Sequence, residues 1–327
     1  MSDAKADMPM PESLVGWFRR TWRQNIIYLG FVVIFLFFAA TLHDRGFPEP
    51  NNILNITRQT AMIAVMTVAM TLVLSAGEID LSIGAVAGLS SVTTALATTW
   101  GGAFAGVSAG LATGLIVGAI NGLLSTRLAI PTFLTTLAMM GIAKGSAMWI
   151  SNTAAIPILN PGYSAFFGGG MLGPVPSLLV WMLASGIVGH VVLRHTKFGR
   201  QILAVGGNVV AARYSGISTA QIKMNVMIIS SATAGLAGML YAGRLQSGRF
   251  QLGEGDELSV IAAAVLGGTS LFGGRGSVVG SIVGALMIGV INNGLILMGL
   301  EYSQQLIARG GIIILAVAVS QSGARRS

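Results

Sequence analysis

Apolar runs of bilayer-crossing length recur along nearly the whole chain. A hydrocarbon layer of ~30 Å takes ~17–25 helical residues. Such runs lie near 26–42, 59–76, 83–100, 103–125, 131–150, 174–193, 224–243, 258–272, 276–299 and 303–320. The second and third are separated only by SAGEIDLSIG, and the eighth is short, so either place can hold a broken or re-entrant helix. Of 327 residues, 53% are hydrophobic and 9% charged, against ~25% charged in an average soluble domain. Too few polar residues remain to cover a soluble surface. The reading is an all-α polytopic transmembrane bundle of about ten spans in one domain, 26–320, with a polar segment 1–25 before it and a tail 321–327 after it.

The first run follows Arg19, Arg20 and Arg23 and ends FFAATL. It is long for a cleaved signal peptide and more spans follow, so a retained helix is expected. The absence of cysteine decides no compartment. The longest polar stretches, 1–25, 151–173 and 194–223, are too short for a folded catalytic domain. Work against a gradient would therefore draw on another subunit or an ion.

Lys and Arg mark cytoplasmic loops. With the N-terminus inside and ten alternating spans, thirteen of the nineteen fall inside and four outside, while Lys144 and Arg309 fall within spans. Both termini are thus expected in the cytoplasm. After Asp80 no carboxylate occurs until Glu254, and within that gap lies the basic stretch 194–223. Its GRQILAVGGNVVAARYSGI is read as one or two short amphipathic helices broken at Gly206-Gly207. Composition alone leaves two uses open: docking a soluble cytoplasmic partner, or lying on anionic headgroups.

The fourth run carries Gly106, Gly110, Gly114, Gly118 and Gly122, then AINGLL; the ninth carries Gly276, Gly280 and Gly284, then GVINNGLI. Small residues spaced by four are packing faces. IDLSIGAV before the third run matches DELSVIAAAV before the eighth, and Asn121 matches Asn292. Runs 2, 3 and 4 then correspond to 7, 8 and 9, an odd offset that inverts one half relative to the other: two inverted five-helix repeats. Ionisable groups in such segments mark a pathway, a relay or an ion pair. Asp80 is also placed to cap the third helix, and the two roles are compatible.

No GxxxxGK[ST] loop occurs, and GGTSLFGGRGS, 267–277, reads as a tight hairpin. His43, His190 and His195 are too scattered for a metal site, and no nucleophile–base set can be assembled. Met62, Met66 and Met70 read as flexible core packing. Lys144 and Arg309 are left to pair with Glu78 or Glu301, or to snorkel to a headgroup.

GEIDLSIG, AINGLLSTRLAIPTFLTTLA, TKFGRQILAVGGNVVAARYSGI, LSVIAAAVLGGTSLFGGRGSVVG and INNGLILMGL stand in order across residues 50–320. Together they resemble the membrane permease subunits of bacterial ABC importers for monosaccharides, the ribose-transporter type. The resemblance implies an inner-membrane subunit without its own ATPase site or cofactor. ATP and Mg would be bound by a partner, a cytoplasmic ATPase with two fused cassettes. A periplasmic sugar-binding protein and a second permease copy or paralogue would complete the assembly in the lipid bilayer, with no nucleic acid. The ATPase-coupling segment carries onto Gly199, Arg200, Gly206, Gly207, Asn208, Ala211, Arg213, Gly216 and Ile217. A neutral sugar needs hydrogen-bonding groups along its pathway, for which Asp80, Ser82, Asn121, Asn292 and Asn293 are suited. Two departures stand out: Glu78, where many relatives have glycine, and GEGDE, whose Glu254, Asp256 and Glu257 are expected outside, where a binding protein would dock. An ion-driven secondary carrier, with Asp80 and Glu78 as proton-relay groups, fits the repeat alone. A membrane enzyme or scaffold lacks the groups it would need.

Overall fold

The structure is a computed structural model that describes residues 14–301, 303–308, 310, 311 and 314. The segment 1–13, the tail 321–327 and half of the tenth apolar run, Arg309 included, lie outside the described residues. The helices are α1 (Leu14–Thr41), α2 (Pro50–Ser75), α3 (Ile83–Arg127), α4 (Thr132–Ser151), α5 (Pro161–Ser164), α6 (Ser177–His195), α7 (Lys197–Gly207), α8 (Val209–Tyr214), α9 (Thr219–Leu245), α10 (Asp256–Leu266) and α11 (Val278–Leu297). Four two-residue strands pair as Ile156–Pro157 with Ser247–Gly248 and Met171–Leu172 with Val175–Pro176. Among the described residues, α2, α3, α4, α6, α9 and α11 are long and apolar enough to cross a membrane, and the apolar part of α1, Ile27–Thr41, is shorter.

Local chemistry sets these boundaries. Pro50 occupies the first turn of α2, where its missing N–H is harmless. Pro131 and Pro176 precede α4 and α6. The Ser277 hydroxyl accepts from Gly280 N at the start of α11, 3.1 Å.

α3 counts as one helix of 45 residues but is two antiparallel limbs. Gly101 and Gly102 leave helical geometry, Gly102 at φ +67°. Beyond that point the chain returns along itself: Thr93 Oγ1 lies 2.8 Å from Thr113 Oγ1, and Asn121 Nδ2 donates to Ser82 Oγ at 3.1 Å. The limbs, 83–100 and 103–127, match the third and fourth apolar runs. Only glycine takes the Gly102 conformation without strain.

The glycine stripe of the second limb is buried against α9. A methyl group at Gly114 would overlap the Ser231 carbonyl, one at Gly118 the backbone of Ile228, and one at Gly122 the Met224 side chain. The α11 stripe does the same elsewhere: Gly280 and Gly284 face the Gly267 and Ala263 carbonyls at the end of α10, and Gly276 faces Ser75 of α2. Met62, Met66 and Met70 are fully buried in the core.

Two connections enter the bundle. After α2, residues 76–82 run inward before α3 begins. Residues 246–255 run down beside the first limb of α3: Ser91 Oγ donates to Arg249 O at 3.0 Å, Gly88 faces the carbonyls of Phe250 and Leu252, and Gly84 faces that of Gly253. α10 starts at this depth, after Gly255 at φ +80°. Its 11 residues extend only about 16 Å, too short to cross ~30 Å of hydrocarbon. The expected eighth span 258–272 is thus a half-helix, stopped by Gly267 and by Gly268 at φ +89°. The hairpin expected at 267–277 is present, closed by Ser270 N to Arg275 O at 3.0 Å.

The stretch 194–223 folds as α7 and α8, and the break falls at Asn208, one residue beyond the expected glycine pair. Asn208 is extended, and its side chain accepts from Ala211 N at 3.0 Å, starting a new helix.

Candidate functional site

A polar centre sits where α3 starts. Asp80 is fully buried. Its Oδ1 accepts from Ser82 N at 2.8 Å and Ser82 Oγ at 2.6 Å, and its Oδ2 accepts from Ser230 Oγ of α9 at 2.7 Å. Asn121 reaches the same serine, and Leu81 N donates to Thr136 Oγ1 of α4 at 3.1 Å. Asp80, Ser82 and Asn121 are therefore brought together. The cap expectation needs correcting: Asp80 satisfies the N–H of Ser82, the residue preceding α3, and not those of the helical first turn. Asn292 and Asn293 lie apart on α11. Asn293 exchanges reciprocal hydrogen bonds of 3.0 Å with Asn52 on α2, a pair that sequence matching did not reveal because Asn52 lies outside the apolar runs.

The second inward start holds the acids. Lys144 of α4 pairs with Glu254, Nζ to Oε1 2.6 Å, and not with Glu78 or Glu301 as the sequence left open. Tyr241 of α9 donates to Asp256. The Glu257 carboxylate lies beside Gly84, at the start of α3. The sequence placed these three carboxylates on an external loop; in the fold they sit at the inner end of the 246–255 segment.

One end of the bundle gathers the basic loops. Glu78 Oε1 pairs with Lys223 Nζ of α9 at 2.7 Å, and its Oε2 accepts from Thr132 Oγ1 of α4. Arg194 donates to Gly276 O at 3.1 Å. α7 lies against this end with buried Ile202 and Val205 facing inward. Thr196 Oγ1 caps it by accepting from Gly199 N at 3.1 Å. Gly206 touches the C-terminus of α2 and the 267–277 hairpin, since a side chain there would overlap Ser75 O and Gly274 N, while Ser75 O itself accepts from Gly274 N at 3.0 Å. On the outer side, Arg200, Asn208, Val209, Val210, Arg213 and Tyr214 are exposed, and Gly216 takes φ +78°.

Among the described residues no group of His, Asp and Glu is arranged to hold a metal.

Comparison with known proteins agrees with this arrangement. The chain matches, over residues 52–317, the family described as branched-chain amino acid transport system / permease component. It is 39% identical to the ribose import permease of Bacillus subtilis over 298 residues, 90% of this chain and 91% of the relative. It is 37% identical to the ribose import permease of Escherichia coli K12, covering 93% and 95%. To the L-arabinose ABC transporter permease of Azospirillum brasilense it is 36% identical, covering 96% and 94%. No solved structure matches the chain. Six membrane-length apolar helices, a re-entrant core and a match along nearly the whole length identify the chain as a member of this ABC permease family of the bacterial inner membrane.

Proposed function

We propose that this chain is the transmembrane subunit of an ATP-binding cassette importer and forms the passage for a neutral monosaccharide or related polyol. The observation that carries the reading is full-length similarity to permeases named for ribose and arabinose. Those names do not single out one sugar. A periplasmic binding protein delivers the solute, and a separate cytoplasmic ATPase with two cassettes binds ATP and Mg and supplies the work. The permease works beside a second copy or a paralogue.

The reading is of ten spans with both termini in the cytoplasm. The basic loops gather at one end, which the distribution of Lys and Arg makes cytoplasmic. Inverted repeats are supported by the packing: α9 lies on both limbs of α3 through Ser230, Gly235 and Ser231, and α2 with α10 and α11 forms the matching trio through Ser75, Gly267 and Gly276. Each trio has one inward start, at Asp80 and at Glu257.

α7 and α8 are the ATPase-coupling element. Gly199, Ile217 and Gly206 fit it to the bundle, while Arg200, Asn208 and Arg213, with exposed Val209, Val210 and Tyr214, offer a mixed apolar and basic face to the ATPase. Motion of the closing cassettes passes through Gly206 to α2 and through the Lys223–Glu78 pair to α4. Asp80, Ser82 and Asn121 hold the inward start of α3 in place beside the passage; Asn292 and Asn293 perform the corresponding task on α11. The acids Glu254, Asp256 and Glu257 act where solute arrives from the binding protein.

Affinity purification of the tagged chain from its native host in mild detergent, with mass spectrometry of what accompanies it, tests the assignment. Recovery of a double-cassette ATPase is expected, and the binding protein encoded beside it can then be screened against ribose, arabinose and xylose. Solute uptake by the chain alone, driven by a proton gradient and without ATP, would overturn the reading.

A further inference from the structure

The geometry points to a solute-binding waypoint on the outward face of α4, built by Lys144, Glu254, Glu257 and Phe250 and suited to a neutral polyhydroxylated molecule. The inference rests on the importer reading and deepens it.

Lys144 is seven residues from the outer end of α4, about 10 Å at 1.5 Å per residue, so it lies within the apolar thickness of the bundle. Its side chain is 41% exposed and that of its partner Glu254 54%. A charged group at such a depth is costly against hydrocarbon and by rule faces protein or a water-filled cavity. A half-exposed ion pair turned to lipid has no hydrogen-bonding neighbours to replace water. This face is therefore wet when the importer works, and the pair borders the water.

Beside the pair is a cavity of about 180 Å³ lined by Met140, Gly141, Lys144, Phe250, Glu254 and Glu257, among others. Drug-sized ligands occupy ~300–1,000 Å³, so this space suits a smaller molecule. Its chemistry is that of a polyol site. Carboxylates accept from adjacent hydroxyls, an ammonium donates to one, and an aromatic ring offers an apolar face to the C–H side of a sugar. Charge-assisted bonds of this kind are worth ~1.5–3 kcal/mol each, and few of them fit here, so binding is weak and release is quick. Lys144 and Glu254 cancel, so the pair presents hydrogen-bonding groups without a net charge, which suits a neutral solute. The segment that supplies Phe250, Glu254 and Glu257 is the one that dips into the bundle, so solute reaching its inner end would meet this site.

The protein itself supplies a clean test. It contains no cysteine, and a side chain added at Gly141 meets nothing within 4 Å. Gly141→Cys in the complete importer, reconstituted in vesicles, is exposed to a membrane-impermeant cationic methanethiosulfonate, with Val188→Cys on the apolar face of α6 as comparison. The expected result is labelling at 141 and none at 188, with labelling at 141 slowed severalfold by whichever of ribose, arabinose or xylose the same vesicles accumulate with ATP. An unlabelled Gly141→Cys would overturn the inference, as a second copy sealing the face or lipid covering it would produce. So would labelling that a transported sugar fails to slow. Uptake is measured in parallel, so failure of the importer reading shows as loss of ATP-driven accumulation of every neutral sugar, whatever the labelling. The exchange Lys144→Glu with Glu254→Lys separates a structural pair from a binding one: it is expected to restore membrane abundance but to raise the KM for uptake severalfold. Uptake at the unsubstituted level would overturn the binding role.

Discussion

The adjacent glycines Gly206 and Gly207 are predicted to differ sharply when each is changed to alanine. Helix propensity favours alanine over glycine by about 1 kcal/mol at interior positions, and less at the end of α7 where both stand. At Gly206 the new methyl overlaps the Ser75 carbonyl oxygen and comes against Gly274 N, both backbone atoms of well-packed elements. Overpacking of this kind costs ~1–3 kcal/mol, so the clash outweighs the propensity gain and lifts α7 off α2. At Gly207 the methyl meets only Gly274 Cα, at 3.9 Å, an ordinary contact. A net loss of about 1–2 kcal/mol moves a two-state balance by about 5–30-fold. Gly206→Ala is therefore expected to cut ATP-driven uptake at least about fivefold by this reckoning, while ATP hydrolysis by the attached ATPase continues. Gly207→Ala should stay close to the unsubstituted rate. The assay is uptake per ATP hydrolysed in reconstituted vesicles, with abundance of each variant in the membrane as control. Equal behaviour of the two alanines, or normal coupling in Gly206→Ala, would refute the claim that α7 acts through its contact with Ser75 and Gly274.

Three further outcomes follow from the polar pairs. Asn293→Leu should lower the melting temperature of the purified protein by leaving Asn52 Oδ1 without its donor, a penalty of about 1–3 kcal/mol, while Asn52 Nδ2 keeps its bond to Phe47 O at 2.8 Å; adding Asn52→Leu should then cost less than it does alone, and additive losses would show the reciprocal amide pair to be unimportant. A double-mutant cycle on Glu78→Gln and Lys223→Met, read as uptake and thermal stability, should give a coupling of about 0.5–3 kcal/mol, the range for residues in contact, with zero coupling excluding the pair as a strut between α9 and the 76–82 segment. Ser230→Ala withdraws one of three donors to the Asp80 carboxylate, and with hydrogen bonds to charged groups worth ~1.5–3 kcal/mol it should destabilise the detergent-solubilised chain more than Ser231→Ala, whose hydroxyl has no hydrogen-bond partner.

Hydropathy alone located both limbs of α3 and the helices α4, α6 and α11 to within a few residues, because a membrane span is a composition before it is a conformation, but it missed the more polar starts of α1 and α2 at Leu14 and Pro50. The turn at Gly101–Gly102 was marked by its glycine pair, although the helical run passes through it almost unbroken. What sequence could not give was depth. Asp256 and Glu257 read as residues of an outer loop because charge predicts exposure to water, yet backbone contacts with Gly84 and Gly88 draw their segment into the bundle. The signal was present in a different form: Gly84 and Gly88 form a short stripe of their own at the start of the third apolar run, and a stripe of small residues means that another backbone comes close. Read as a helix partner, it pointed to nothing, because its partner is an irregular segment with no periodicity to match.

The same reasoning explains why the charges of this chain are tolerated. Irregular backbone within a membrane persists only where protein or water satisfies its polar groups. The 76–82 segment meets that condition largely with protein: Asp80 takes the donors of Ser82 and Ser230, Leu81 N finds Thr136, and Glu78 finds Lys223 and Thr132. The 246–255 segment meets it only in part. Its inner half is closed by glycine contacts, but Glu254 and Lys144 remain half in the open. The two segments thus differ in what completes them. The first is finished by the chain itself and serves to hold α3 in register; the second needs water at its rim, and a passage for a hydroxyl-rich solute is a place where a membrane protein keeps water.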